Sequence, residues 1–433
     1  MSTLLCLDIG STWTKGAMVD ERGILVGTAQ HPTTAPEVLD GIASVTTRLD
    51  AQGLPVLACS SAGGGLRLAV VGQERLVSAE AGYRVALSAG AKIVHVVAGQ
   101  LNGAAIRELR ATRPDLVLLA GGTDGGDRSV LLHNAKRIAA NRLKPPIVLA
   151  GNADARAEAE ALLRETGRTV VATDNVLPDV GELAPGPARA AIRELFLRHV
   201  IGGKGLSKGN TFRNLVRAVT PDAVLGGVSR LATILAAREA GAVLVVDVGG
   251  ATTDVYSAVS TVDENAMQRT VALPPDRRTV EGDLGMRWSA PGIVSEAKVE
   301  RLDTQTDLEE EAQKRSAAVD WIPEDDHGRD VDATLAGLAA TLAVRRHLRL
   351  VDGQLGPKGA GLLVLSGGVF RHATPERLHA IEERLRADPV LRPVLRNAEI
   401  TVDRHYVLAP AGLLADAGRV ETADALLANH FSA

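Results

Sequence analysis

One pattern occurs twice in this chain, and it restricts the fold more than any other. A strand-like apolar run ends in aspartate, a short glycine turn carrying hydroxyls follows, and a second strand-like run returns. The first copy is LCLDIGSTWTKGAMVD, with Asp8, Gly10, Ser11, Thr12 and Lys15. The second is VLVVDVGGATTDVYS, with Asp247, Gly249, Gly250, Thr252, Thr253 and, beyond them, Asp254. Backbone N–H groups in such a turn form an anion-binding concavity, hydroxyls add donors, and a carboxylate at a strand end suits hydrated Mg²⁺. Either copy alone is equally compatible with a plain hairpin. Two copies about 240 residues apart, each followed by mixed α/β sequence, are what a duplicated nucleotide cleft produces.

A chain of 433 residues exceeds what one hydrophobic core organises, so two or three domains are expected. Aromatic residues make up only 2%, so the core is built from Ala, Val, Leu and Ile. A formal net charge of −4 without a long Lys/Arg block lacks the electrostatic footprint of a nucleic-acid binder. Cys6 and Cys59 both sit in apolar runs and read as buried, reduced thiols, with no disulfide framework or cysteine metal site. His95, His133 and His372 lack metal-ligand spacing and read as structural or surface residues. No basic leader and no apolar run of about 18 residues is present, which predicts a soluble, cytoplasmic protein without membrane contact.

Along the chain, residues 1–65 read as the first part of domain I: a short β meander, a helix and a further strand. From 66 to 175, apolar strands alternate with helical stretches, the pattern of an inserted parallel α/β module. Residues 176–226, opening on a Pro/Gly-rich stretch, are expected to return to domain I through a hinge, and 227–433 to form domain II. The charged stretch Leu302–Asp332 holds one obvious apolar anchor, Val319–Ile322, and reads as a surface helical excursion or a mobile segment.

A third element is LLVLSGGVFRHATPERL, where Gly367 and Gly368 let the backbone approach a flat ligand such as adenosine, or form a routine βα turn. The loop AGGTDGGD follows a parallel strand, where open α/β sheets bind ligands; Asp124 or Asp127 there either orients water or caps the next helix. Glu281 and Asp283 in EGDLGMR are either catalytic or part of an Asx turn. Ser60–Gly65 reads as a joint into the module in preference to an anion nest, and Lys204 and Lys208 as solvated charges.

In order and content, the elements at Asp8, Asp247 and Ser366–Gly368 resemble the phosphate-1, phosphate-2 and adenosine motifs of the actin/Hsp70/sugar-kinase superfamily. The resemblance implies two RNase H-like domains closing on ATP and Mg²⁺. It further implies metal-water ligands at Asp8 and Asp247, and phosphate contacts from Lys15, Gly10, Ser11, Thr12, Gly249, Gly250, Thr252 and Thr253. Gly367 and Gly368 would flank the adenosine, and Asp124 joins the two loop aspartates as a catalytic candidate.

One branch matches further. CSSAGGGLRLAVVG, AGAKIVHVVAGQL, DLVLLAGGTDGGD, NVLPDVGELAPGPARAAIRELFL, KGLSK and TVEGDLGMRWSA resemble the glutamate mutase accessory family called MutL or GlmL, unrelated to the mismatch-repair protein of that name. That resemblance implies an ATP-driven accessory or reactivating role for an adenosylcobalamin-dependent mutase or aminomutase, as monomer or homodimer. A small-molecule kinase using the same cleft is the alternative, and it needs a carboxylate placed to accept a substrate proton. An activator of 2-hydroxyacyl-CoA dehydratases would need cysteines for an iron–sulfur cluster, which Cys6 and Cys59 in core strands do not offer. A filament protein of actin type is disfavoured by the inserted module.

Overall fold

Three five-stranded sheets organise the chain, and two of them share one strand order. The computed structural model describes residues 3–62, 66–74, 78–88, 91–196, 198, 206–207, 210–236, 241–259, 276–304, 307–351, 355 and 358–431. Its first unit opens with β1 (Thr3–Ile9), β2 (Trp13–Asp20), β3 (Leu25–Pro32), α1 (Val38–Arg48) and β4 (Val56–Ser60). The inserted stretch runs β5 (Arg67–Gly72), α2 (Ser78–Ser88), β6 (Lys92–Ala98), α3 (Gly103–Ala111), β7 (Leu116–Leu119), α4 (Ser129–Ala140), β8 (Ile147–Leu149), α5 (Ala153–Arg164) and β9 (Val170–Ala172). Then α6 (Pro185–Leu195), α7 (Thr211–Leu215) and β10 (Val216–Val219) lead into α8 (Thr220–Ala236). The second unit begins with β11 (Ala242–Val248), β12 (Thr253–Ala258), β13 (Asp276–Glu281), α9 (Ala290–Val299), α10 (Leu308–Ala317) and α11 (Asp326–Leu350). It continues through β14 (Ala360–Ser366), α12 (Gly368–Arg371), α13 (Pro375–Ala387), α14 (Arg392–Leu395) and β15 (Glu399–Val402), and α15 (Leu408–Asp416) and α16 (Val420–Phe431) close the chain.

The first sheet is ordered β10-β4-β1-β2-β3 and the second β13-β12-β11-β14-β15. In each, a central strand has an antiparallel hairpin partner on one side and a parallel strand on the other. Asp8 faces Lys15 in the first hairpin and Asp247 faces Asp254 in the second, so the two hairpins agree in register. The chain therefore adopts the expected α/β architecture of two RNase H-like domains, with the parallel module inserted between β4 and β10. β1 is buried from Leu4 to Ile9, which is why its sequence is nearly continuously apolar instead of alternating.

The inserted sheet is ordered β6-β5-β7-β8-β9 and parallel throughout. Ile106, Leu131 and Leu163 bring α3, α4 and α5 onto one face. On the other face, Ala81 and Val85 of α2 and Ile192 of α6 share a core with Leu5, Leu7 and Ile9 of β1, so the module is welded to the first unit.

Between the first and second sheets lie α8, α15 and α16, which share one core with Cys6, Cys59, Val245 and Val364. α8 and α15 cross at backbone contact: a Cβ on Gly412 would sit 1.8 Å from the Ala223 carbonyl oxygen, and one on Gly227 2.1 Å from that of Leu408. Only glycine fits there. The boundary expected after residue 226 thus falls inside one uninterrupted helix.

Two segments differ from the sequence reading. Strand β10 is absent from the sequence reading because VRAV is only four residues long and follows directly on a short helix; the sheet supplies its partners. In the charged stretch, Trp321 and Ile322 are exposed instead of anchoring, and Leu308, Ala312 and Arg315 are buried in their place. The Arg315 guanidinium is fully enclosed because Asp332, Glu311 and the Gly328 carbonyl accept its hydrogen bonds. Gly63–Gly65 of the expected joint, Lys204 and Lys208 lie outside the described residues. Among the described residues no helix is long and apolar enough to cross a membrane.

Candidate functional site

The two glycine turns close in the same way. Gly10 N–H donates to the Trp13 carbonyl at 2.9 Å, and Gly249 N–H to that of Thr252 at 2.9 Å. Each turn hangs on a central strand whose apolar side chains fix it in the core. Ser11 and Thr12 are exposed at the first tip. The tips face each other: a Cβ on Gly250 would lie 3.8 Å from the Thr12 methyl.

Beneath the tips the strand-end aspartates join one polar cluster. Asp8 is 4% exposed and accepts a hydrogen bond from Thr220 Oγ1 at 2.5 Å, at the head of α8. Lys15 Nζ is 3.6 Å from the Asp8 carboxylate and 3.3 Å from the centroid of the Tyr406 ring. The Tyr406 hydroxyl is 3.5 Å from Asp247 Oδ2, so Tyr406 links the halves. Burial pushes the Asp247 carboxyl up to about 6; Lys15 and a Ser366 hydrogen bond pull it down, while Asp254 and Asp8 push it further up. Burial likewise raises Cys6 to about 12, and it raises Cys59 with help from Asp8, so both thiols stay protonated.

The second loop is buttressed from behind. Met286 and Arg287 N–H groups donate to the Gly249 and Gly250 carbonyls, at 2.9 and 2.8 Å. Thr253 is fully buried and donates to the Leu284 carbonyl at 2.6 Å, which turns it away from the tip. Thr252 donates to Asp254 at 3.0 Å, and Arg278 Nε donates to the same carboxylate at 2.9 Å. Gly367, at φ 122°, brings its Cα against the strand entering this loop: a Cβ would lie 2.3 Å from the Val248 carbonyl oxygen. Gly368 beside it is exposed.

Asp8, Lys15, Asp247 and the two glycine turns are therefore brought together, with Gly367 adjoining. Asp124 is exposed in the loop after β7; its carboxylate accepts from Ala153 N–H at 2.8 Å and from Asn175 at 2.9 Å, and its own N–H donates to the Pro178 carbonyl at 3.0 Å. Asp127 accepts from the Ser129 N–H and hydroxyl, which hold its carboxyl below the usual range. Glu281 and Asp283 both pair with Arg346, at 2.7 and 2.9 Å. His133 contacts the Leu101 carbonyl, a structural bond. Thr220 and Tyr406 were not singled out from sequence. Thr220 belongs to no motif, but Tyr406 is one of three tyrosines in the chain and directly precedes the closing helices, which was a usable signal.

Two carboxylates suit Mg²⁺, which keeps several waters and takes one or two carboxylates alongside phosphate oxygens, and the adjacent hydroxyls and N–H groups suit those oxygens. Asp8 and Asp247 are the residues that would hold it.

A family model described as MutL protein matches residues 4–431. Protein MutL of Clostridium tetanomorphum is 33% identical over 447 residues, covering 96% of each chain. A ROK family glucokinase from Streptomyces griseus, solved with glucose and AMPPNP, shows 13% identity and a TM-score of 0.34 over 98% of each chain. A nucleotide-free acetone carboxylase shows 13% identity and a TM-score of 0.36, over 87% of this chain and 67% of that one. Overlap at that level carries no weight for function, and the fold rests on the strand orders above. Matched over nearly its whole length by the family model and by this relative, the chain belongs to the MutL family.

Proposed function

We propose that the chain binds ATP with Mg²⁺ between its two glycine turns and uses the nucleotide to drive a change in the relative position of its halves. The observation that carries this is the meeting of two equivalent hairpins at one cluster spanning both halves, Asp8–Lys15–Tyr406–Asp247. Ser11, Thr12 and the turn N–H groups would receive phosphate oxygens, and Lys15 would balance their charge. Gly368, exposed with open space beside it, would leave the backbone accessible to the adenosine, while Gly367 seats the turn against β11. Bound Mg²⁺ would supply charge neutralisation on the phosphates. Thr220 on Asp8 ties the first turn to α8, so a displacement of the turn is delivered to the helix that crosses between the units.

The same reading extends to the partner. Segments through the middle of the chain resemble glutamate mutase accessory proteins, which supports an ATP-driven accessory ATPase that reactivates an adenosylcobalamin-dependent mutase or aminomutase in the cytoplasm. A radical enzyme holding damaged cobalamin needs its cofactor exchanged, and a clamp that alternates between two positions can open it. The test is to incubate inactivated cognate mutase with the protein, ATP, Mg²⁺ and fresh adenosylcobalamin. Turnover should recover with ATP and not without it; no recovery would remove the reactivation reading. Asp8→Ala separately tests the cleft, since unchanged Mg²⁺-dependent ATP affinity would remove the clamp.

A further inference from the structure

A cavity of about 430 Å³ opens beside the clamp, lined by Asp8 and Lys15 but by no residue of the second glycine turn or of Ser366–Gly368. Its other walls are the β1–β3 face, with Cys6, Ala17 and Ala29 as an apolar floor, and Arg371, His405 and Tyr406 from the second unit. That size fits a small organic ligand and exceeds what one inorganic ion fills. Lys15, Arg48 and Arg371 line it against a single carboxylate, Asp8, which Thr220 and Lys15 already engage.

Arg371 is under-satisfied. Its Nε is buried and has no partner among the described residues, and its hydrogen bond to Gln30 Oε1 is long at 3.3 Å. Its guanidinium lies 5.5 Å from the Tyr406 ring, on which Lys15 also sits. Arg48 donates to the Gln30 carbonyl at 2.8 Å, so two guanidinium groups converge on one residue of β3. Arg48 is exposed and Arg371 half-buried with its Nε enclosed, and a bound anion is what would supply that N–H with an acceptor.

We propose that this cavity is a second ligand site, for a small organic anion such as a carboxylate of about four to six carbons, held by Arg371 and Arg48 over the apolar floor. The anion spans both units, because Arg371 belongs to one and β1–β3 to the other. It shares Lys15 with the nucleotide site, so each ligand changes the affinity for the other. The proposal rests on the clamp reading only for this coupling.

Calorimetric titration of the full chain with butyrate, succinate, adipate and inorganic phosphate, each with and without saturating ADP·Mg²⁺, tests it. At least one carboxylate should bind more tightly than phosphate, with an affinity that ADP shifts without abolishing. Arg371→Ala should weaken that binding at least tenfold and leave ADP affinity within about threefold. Gln30→Glu offers Arg371 and Arg48 a carboxylate in place, and should exclude the anion in a fold held together by the new pairing. Absence of carboxylate binding, or phosphate binding with no gain from a carbon chain, would overturn the proposal. So would strict competition with ADP, which would make the cavity part of the nucleotide site. Failure of ADP to bind at all would sink the clamp instead, and carboxylate binding would still decide the cavity.

Discussion

Asp247→Asn separates the clamp reading from a purely structural one. Burial moves the wild-type carboxyl from 3.8 to about 6. A raised carboxyl means the folded state holds its proton more tightly than the unfolded state. The stability it contributes is full below about pH 4 and is lost as pH rises through about 6. Two units at 1.36 kcal/mol each make the ionised carboxylate cost roughly 3 kcal/mol at pH 8 in the absence of a cation. Asparagine removes that cost, so the ligand-free variant should unfold at equal or higher urea concentration than wild type at pH 8, followed by tryptophan fluorescence. Binding should move the other way. About one tenth of the carboxyl is ionised at pH 5 and nearly all at pH 8, so the wild-type to variant ratio of ADP·Mg²⁺ affinity should rise about tenfold across that range. Taking the ratio cancels the protonation of the nucleotide itself. A ratio flat with pH, or a variant much less stable than wild type at pH 8, refutes the reasoning.

The predicted phosphate hydroxyls divide by burial. Thr253→Val should cost about 1–3 kcal/mol by leaving the Leu284 carbonyl unpaired, seen as a lower unfolding midpoint, whereas Thr12→Val should leave stability unchanged and weaken ADP binding. Gly412→Val should lower stability by about 3 kcal/mol or more, because its side chain has nowhere to go at the helix crossing. Gly186→Ala in α6, with no atom within 4 Å of the added methyl, should be neutral or gain up to about 1 kcal/mol in the same assay. Cys6 and Cys59 should both resist a thiol reagent in the native protein at pH 8 and react on unfolding, because burial holds both thiols protonated.

Sequence revealed what depends on local chemistry. Both hairpins were legible because the same strand, aspartate and glycine turn occurs twice in one chain, and the module was legible because buried parallel strands are nearly all apolar. Tertiary partnership was hidden. Thr253 carries the same hydroxyl as Thr12, and only the 281–288 segment packed behind it decides that it faces inward. Asp124 sits in a loop that resembles a ligand site, yet its carboxylate stitches the start of α5 and Asn175 together. The stretch around Trp321 looked like an apolar anchor because hydrophobicity counts side chains one at a time; an arginine with three acceptors displaced it.

The two hairpins make the same turn in the same register, but the residue facing the aspartate is Lys15 in one and Asp254 in the other. The backbone is repeated and the electrostatics are not. A chain of phosphates lying across the pair would meet a cation at one end and a carboxylate, already held by Arg278, at the other. A symmetric clamp would accept such a ligand either way round; this pair, with a head and a tail, would give its ligand a direction.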